Sequence, residues 1–272
     1  MQGIEAGIGQ RALRRLSTGL RAHRGGATLV VMVRWFILAA LLALPALLGA
    51  PVLAADRSVA VGSFDRIRID GPFDVRLTTR ATPNATVSGD ARVLDTVAVR
   101  VEGGTLVVRR NDTRWGERPV ERGLGVPIVT LATRDLRSAG LVGSGRLTIS
   151  GPLTAERLDL SLTGAGSIEA TGVAGDALTA TLIGDGTLTL GGTVRSARLS
   201  ANGSGRIAAQ GLSANDVVVR SDGSAAIAVA ARYTASANST GSGPIEILGR
   251  PECKVKAAGG GSIVCGQGRP DR

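Results

Sequence analysis

The sequence is poor in the residues that catalysis and stacking recognition draw on. Its 272 residues hold one histidine, two cysteines and an aromatic fraction of 2%. The histidine is His23, which lies ahead of an apolar export segment, so the chain beyond residue 54 has no imidazole. That excludes a His-based nucleophilic triad and a His-ligated metal centre from the exported part. Beyond residue 54 the only aromatics are Phe64, Phe73, Trp115 and Tyr233. A nucleic-acid surface with aromatics interleaved in a basic stripe is therefore excluded, and sugar stacking has little to work with. Disorder is excluded too, because 43% of the residues are hydrophobic and they follow a regular pattern.

Charge is missing from residues 35–55, WFILAALLALPALLGAPVLAA, which follow Arg34 directly. Val52-Leu53-Ala54 places small residues where a signal peptidase reads them, so the expected cut falls between Ala54 and Ala55. Met32 offers a second start, which would make residues 1–31 an over-extended reading of the gene. Read as translated, they form a basic leader with Arg11, Arg14, Arg15, Arg21 and Arg24. The rival reading is an uncleaved membrane anchor over 35–55, since about 20 apolar residues can span a bilayer. On either reading the rest is exported, to the periplasm or the cell surface. The formal net charge is +10, but residues 1–54 carry six Arg and one Glu, so the remainder keeps only about +5. That leaves a mild attraction to anionic envelope polymers, membrane surfaces or a protein partner.

What the chain does have is glycine, 39 residues of it. Gly-x-Gly recurs from Gly143, Gly164, Gly184, Gly203, Gly241 and Gly259, with a degenerate copy at Gly223. The steps are 21, 20, 19, 20, 18 and 18 residues. After each copy two alternate positions are apolar, as in Leu147 and Ile149, Ile168 and Ala170, or Leu188 and Leu190. Before each copy a second alternating strand runs, as in Leu158, Leu160 and Leu162. Period two on both sides means strands with one buried face. A unit of about 20 residues holding two strands and two corners is one coil of a β-solenoid, and stacking the coils closes the core. The fold class is all-β: a parallel β-helix or β-solenoid over 134–266, two walls per coil, ending in a short tail at 267–272. A less regular strand-rich part precedes it over 56–133.

The glycines are corner residues in this reading. A phosphate-cradling loop needs a helix to follow the glycines, and here a strand follows every time. The x positions, Ser144, Ala165, Asp185, Ser204, Ser224, Ser242 and Gly260, would stack along one edge. They hold one Asp among small residues, so the acidic ladder of a calcium-binding solenoid is absent, and no cofactor or metal is expected. Cys253 and Cys265 both fall at inward positions of the last coil. In an oxidising compartment they read as a disulfide staple; the alternative is two reduced core cysteines.

The order FDRIRIDGPFDVRLT (64–78), TVAVRVEGGTLVVRRND (96–112) and VPIVTLATRDLRSAGLVGSGRLTISG (126–151), followed by Gly-Ser-Gly and Gly-Ala-Gly coils, resembles the head GIN domain family. That family is labelled an auto-transporter adhesin. The resemblance covers roughly residues 60–265 and implies a β-helix-like fold in a bacterial envelope protein. It brings no catalytic residues with it.

Two functions remain. The first is an exported, non-catalytic binding, adhesion or structural module. Its candidate contact is Trp115, in the polar segment 111–125, unless that ring packs on the solenoid flank. The second is a carbohydrate-active β-helix using paired acids. Glu156 and Asp176 sit one coil apart and form the closest pair. Glu169 and Glu246 share a column four coils apart, on the order of 19 Å, too far for such a pair. The absence of histidine, of a close acid pair in a cleft and of a metal ladder favours the non-enzyme.

Overall fold

The computed structural model describes residues 55–111 and 125–267. The expected export segment up to Ala54 and the candidate Trp115 lie outside the described residues; Ala55 opens the first strand. In chain order the first elements are β1 (Ala55–Val59), β2 (Arg66–Asp70), β3 (Asp74–Thr78), β4 (Asn84–Gly89) and a short helix α1 (Ala91–Leu94). Then come β5 (Val97–Glu102), β6 (Thr105–Arg110), β7 (Ile128–Ala132), β8 (Ser138–Val142) and β9 (Arg146–Ser150). The repeats form β10 (Leu153–Thr163), β11 (Ser167–Ile183), β12 (Thr187–Gly203), β13 (Arg206–Gly223) and β14 (Ala226–Ser239). The last coils are β15 (Ile245–Gly249), β16 (Glu252–Ala257) and β17 (Ile263–Gln267). All seventeen strands among the described residues join one sheet, wound as a β-solenoid of about six turns.

The repeats stack in register, one coil per ladder step. Leu158 pairs with Leu178 and Leu178 with Ala197, while Ile168 pairs with Leu188 and Leu188 with Ile207. These are the alternate apolar positions of the sequence, and all of them are buried. The sequence pattern shows two walls, the first before each Gly-x-Gly and the second after it, and the structure adds a short third one over 153–155, 173–175, 192–194 and 212–214. Along β11 the buried positions run Ile168, Ala170, Val173 and then Leu178, so the period of two breaks after Ala170 and again before Leu178. Each break is a bend. The third wall turns Leu153, Val173, Val194 and Leu212 inward and closes the cross-section.

The N-terminal part does not precede the solenoid in space; it is threaded into it. β2 lies between β6 and β8, parallel to both, and β3 lies between β7 and β9 in the same way. The Gly71-Pro72 turn is therefore a coil corner in the same column as Gly143 and Ser144, with Phe73 buried where the next coil has Gly145. The chain must cross the β2–β3 coil to pass from β7 to β8. Thr133, 1% exposed, fixes that crossing by donating its hydroxyl to the carbonyls of Phe64 and Asp135.

Beyond β6 and β7 the stack is finished by antiparallel strands. β5 pairs with β6 through a hairpin whose Gly103 and Gly104 both have positive φ, as a type I′ turn requires. β1 pairs with β4, and β4 with β7. The helix α1 starts at Asp90, whose carboxylate accepts the Arg92 backbone N–H at 2.9 Å. That bond, helped by the Arg92 side chain, holds the Asp90 carboxyl below its ordinary value. Leu94 closes over the core.

Candidate functional site

The Gly-x-Gly corner needs glycine at its two ends for separate reasons. Gly164 has φ of 114°, and a Cβ there would stand 2.5 Å from the Gly143 carbonyl oxygen of the previous coil. Gly166 is turned inward, and its Cβ would meet the Gly145 oxygen at 2.5 Å. The x position between them faces out. Along this edge the Ser204 hydroxyl donates to Asp185, so the x residues do stack and bond across a coil.

The residue after the second glycine opens the second wall on its outer face. Register places Asp74, Arg146, Ser167, Thr187 and Arg206 in one outward column. Their backbones are pinned, since the Arg146 N–H donates to the Phe73 carbonyl at 2.7 Å and the Ser167 N–H to that of Gly145 at 2.9 Å. Between this column and the corner edge runs an open groove of about 570 Å³. Pro72, Ser144 and Ala165 form one bank, Asp74, Arg146, Ser167 and Thr187 the other, and Val126, 60% exposed, closes one end. Asp74 is engaged by Arg76 at 3.6 Å. The side chains of Arg146 and Arg206 have no hydrogen-bond or ion-pair partner among the described residues. The groove thus offers an unengaged guanidinium beside three hydroxyls, which suits an anionic, hydroxyl-rich ligand.

A smaller depression of about 250 Å³ lies on the first wall between Arg220, Asp222, Asn238 and Thr240. Its carboxylate already accepts the Thr240 hydroxyl.

The acids singled out in the sequence fall elsewhere. Glu156 and Asp176 are stacking neighbours, set by Ala155 against Gly175 and Arg157 against Ala177. They lie on the exposed bend between the third and first walls, and neither lines the two grooves. Asp176 is bound by Arg195, with Nε at 2.9 Å and Nη2 at 2.7 Å from the same carboxylate oxygen. Glu169 and Glu246 share a column with Thr189, Ala208 and Ala228 between them. Cys253 and Cys265 are joined as a disulfide, their Cα atoms 6.4 Å apart. Sequence reasoning missed Asp74, Arg146 and the outward column. The signal was present as the residue after each second glycine, which reads Arg, Ser, Thr, Arg in successive copies.

A parallel solenoid with a polar groove along its glycine edge defines a class of rigid, repeat-built scaffold. The chain belongs to the family described as "Putative auto-transporter adhesin, head GIN domain", whose model matches residues 63–251. Solved structures share the fold. One is a protein of Parabacteroides distasonis described as a "putative lipid binding protein", 26% identical, with a TM-score of 0.66 over 77% of this chain and 95% of that one. Another is a "putative adhesin" of Bacteroides fragilis, 23% identical, with a TM-score of 0.71 over 79% of this chain and 97% of that one. A third, from Parabacteroides merdae and also described as a "putative adhesin", is 17% identical, with a TM-score of 0.56 over 77% of this chain and 95% of that one. A comparison with curated proteins finds no match.

Proposed function

We propose that this is an exported, non-catalytic binding module of the bacterial cell envelope or cell surface, and that it holds an anionic polysaccharide along the glycine-edge groove. The observation that carries the reading is Arg146, unengaged among the described residues, standing beside the hydroxyls of Ser144, Ser167 and Thr187. Membership of an adhesin-described family supports a binding role, and the lipid-binding description of the Parabacteroides relative is a second kind of envelope contact. The pairing of Asp176 with Arg195 supports the non-catalytic part, because the acid nearest to Glu156 is already neutralised on an open surface. In this reading residues 1–54 are removed on export, Ala55 becomes the first residue of the mature chain, and the coils from 134 to 266 carry the contact face together with the threaded strands of 56–133.

Calorimetric titration of the mature chain with polygalacturonate and with neutral dextran tests it. Polygalacturonate should bind with an affinity that falls as salt rises, dextran should not, and Arg146→Ala should weaken binding about tenfold or more, as loss of a charged hydrogen bond would. Equal affinity for the two polymers, or an Arg146→Ala variant that binds like the parent, would sink the assignment of the groove. Release of reducing ends or unsaturated sugars would sink the non-catalytic reading.

A further inference from the structure

The two ends of the stack are finished differently. At one end β1, β4 and β5 run antiparallel over the coils and Leu94 of α1 closes the core. At the other end β16 pairs with β14 and β17 with β15, and among the described residues no strand covers their outer side. All six residues of β16 are exposed, including Val255 at 43%, although register turns Val255 inward over Ala237. A bare edge of this kind is a template for one more strand.

The composition of that edge is singular. Lys254 and Lys256 are the only lysines among the 272 residues. They project outward from β16, opposite Ser236 and Asn238 of β14, with Val255 between them. The disulfide from Cys253 to Cys265 ties this strand to β17, so the edge is held in a fixed position. Pairing with a second copy is opposed by charge. An antiparallel copy centred on Val255 would set Lys254 against Lys256 of its partner. Like charges directly opposed across strands are destabilising, and opposite charges stabilise by a similar amount.

We propose that β16 is a docking edge for an extended acidic segment of another protein, which adds to the sheet as a further strand. Carboxylates at alternate positions would face Lys254 and Lys256, and the residue between them would cover Val255. The segment's backbone would take up the free N–H and carbonyl groups of the edge.

Fluorescence anisotropy with two labelled peptides tests this, one carrying Glu-Val-Glu-Val-Glu and one Lys-Val-Lys-Val-Lys, against the intact chain and the Lys254→Glu/Lys256→Glu variant. The acidic peptide should bind the parent at least tenfold tighter than the basic one, and the preference should reverse in the variant. Hydrogen exchange of the β16 amides should slow when the acidic peptide is bound. Binding of neither peptide, equal binding of both, or a preference that survives the charge reversal would overturn the proposal and leave the lysines as guards of the edge. Binding without slower exchange in β16 would also overturn it, because the attraction would then be electrostatic alone. Both lysines are exposed, and circular dichroism of the variant verifies that it is folded.

Discussion

The glycine motif separates into residues that the stack demands and residues that it leaves free. At Gly205 a Cβ would lie 2.3 Å from the Gly186 carbonyl, a backbone atom that cannot move without shifting the ladder. At Gly260, an x position, a Cβ would meet nothing within 4 Å among the described residues. Gly205→Ala should therefore cost about 1–3 kcal/mol as overpacking, while Gly260→Ala should stay within about 0.5 kcal/mol. Urea unfolding of the two variants measures both, and comparable losses at the two positions would contradict the inward placement of the second glycine. Among the seven Gly-x-Gly copies Ala225 alone puts a methyl at the second position, in the copy whose step shortens to 18 residues. The same division explains what the sequence could show at this scale. The inward leucines and the corner glycines recur with the repeat, so they were legible. Arg146 was not, because its column holds Ser167 and Thr187 in the next two coils and only the folded register brings these side chains to one groove bank.

At the scale of elements, the last coil depends on its crosslink more than on its core. Val255 of β16 is 43% exposed although its register turns it inward, and the inward Ile263 and Cys265 of β17 are only partly buried, so the coil buries little apolar surface of its own. The disulfide closes a loop with a sequence separation of 12. A crosslink over a loop of that size contributes about 3 kcal/mol in the chain-entropy picture. Because each coil of a solenoid touches only its neighbours, the loss should stay local. The Cys253→Ala/Cys265→Ala variant should show fast hydrogen exchange in β16 and β17 while β11 to β13 keep their protection. Acceleration spread evenly along the stack would mean that the staple acts on the whole fold. The position of the two cysteines was readable because both obey the inward alternation of their strands. The third wall was not readable. Its inward residues, such as Val173 and Leu212, come three positions after the previous buried one, and a step of three hides in a period-two pattern.

At the scale of the molecule, the threading of β2 and β3 divides the chain into a part that can lose a coil and a part that cannot. Gly184 stands where Gly203 stands one coil later, because Ile183 pairs with Asn202. Deleting residues 184–202 therefore removes one complete coil and joins Ile183 to Gly203 in phase. The new neighbours match, since Ile168 would rest on Ile207, Ala170 on Ala209 and Leu178 on Val217, all inward pairs of a kind the stack already uses. The shortened chain should fold, with a strand-type circular dichroism spectrum and a lower melting temperature, because nearest-neighbour coils contribute roughly additively. Deleting residues 63–79 removes no more than 17 residues, yet it takes out the coil that β6 and β7 rest on from one side and β8 and β9 from the other. Thr133 would lose the Phe64 carbonyl that fixes the crossing, and the connection from β7 to β8 would have no coil to pass over. That chain should fail to give a monomeric folded species in size-exclusion chromatography. If it folds as well as the 184–202 deletion, the N-terminal strands are a separable cap, and the solenoid core begins only at β8.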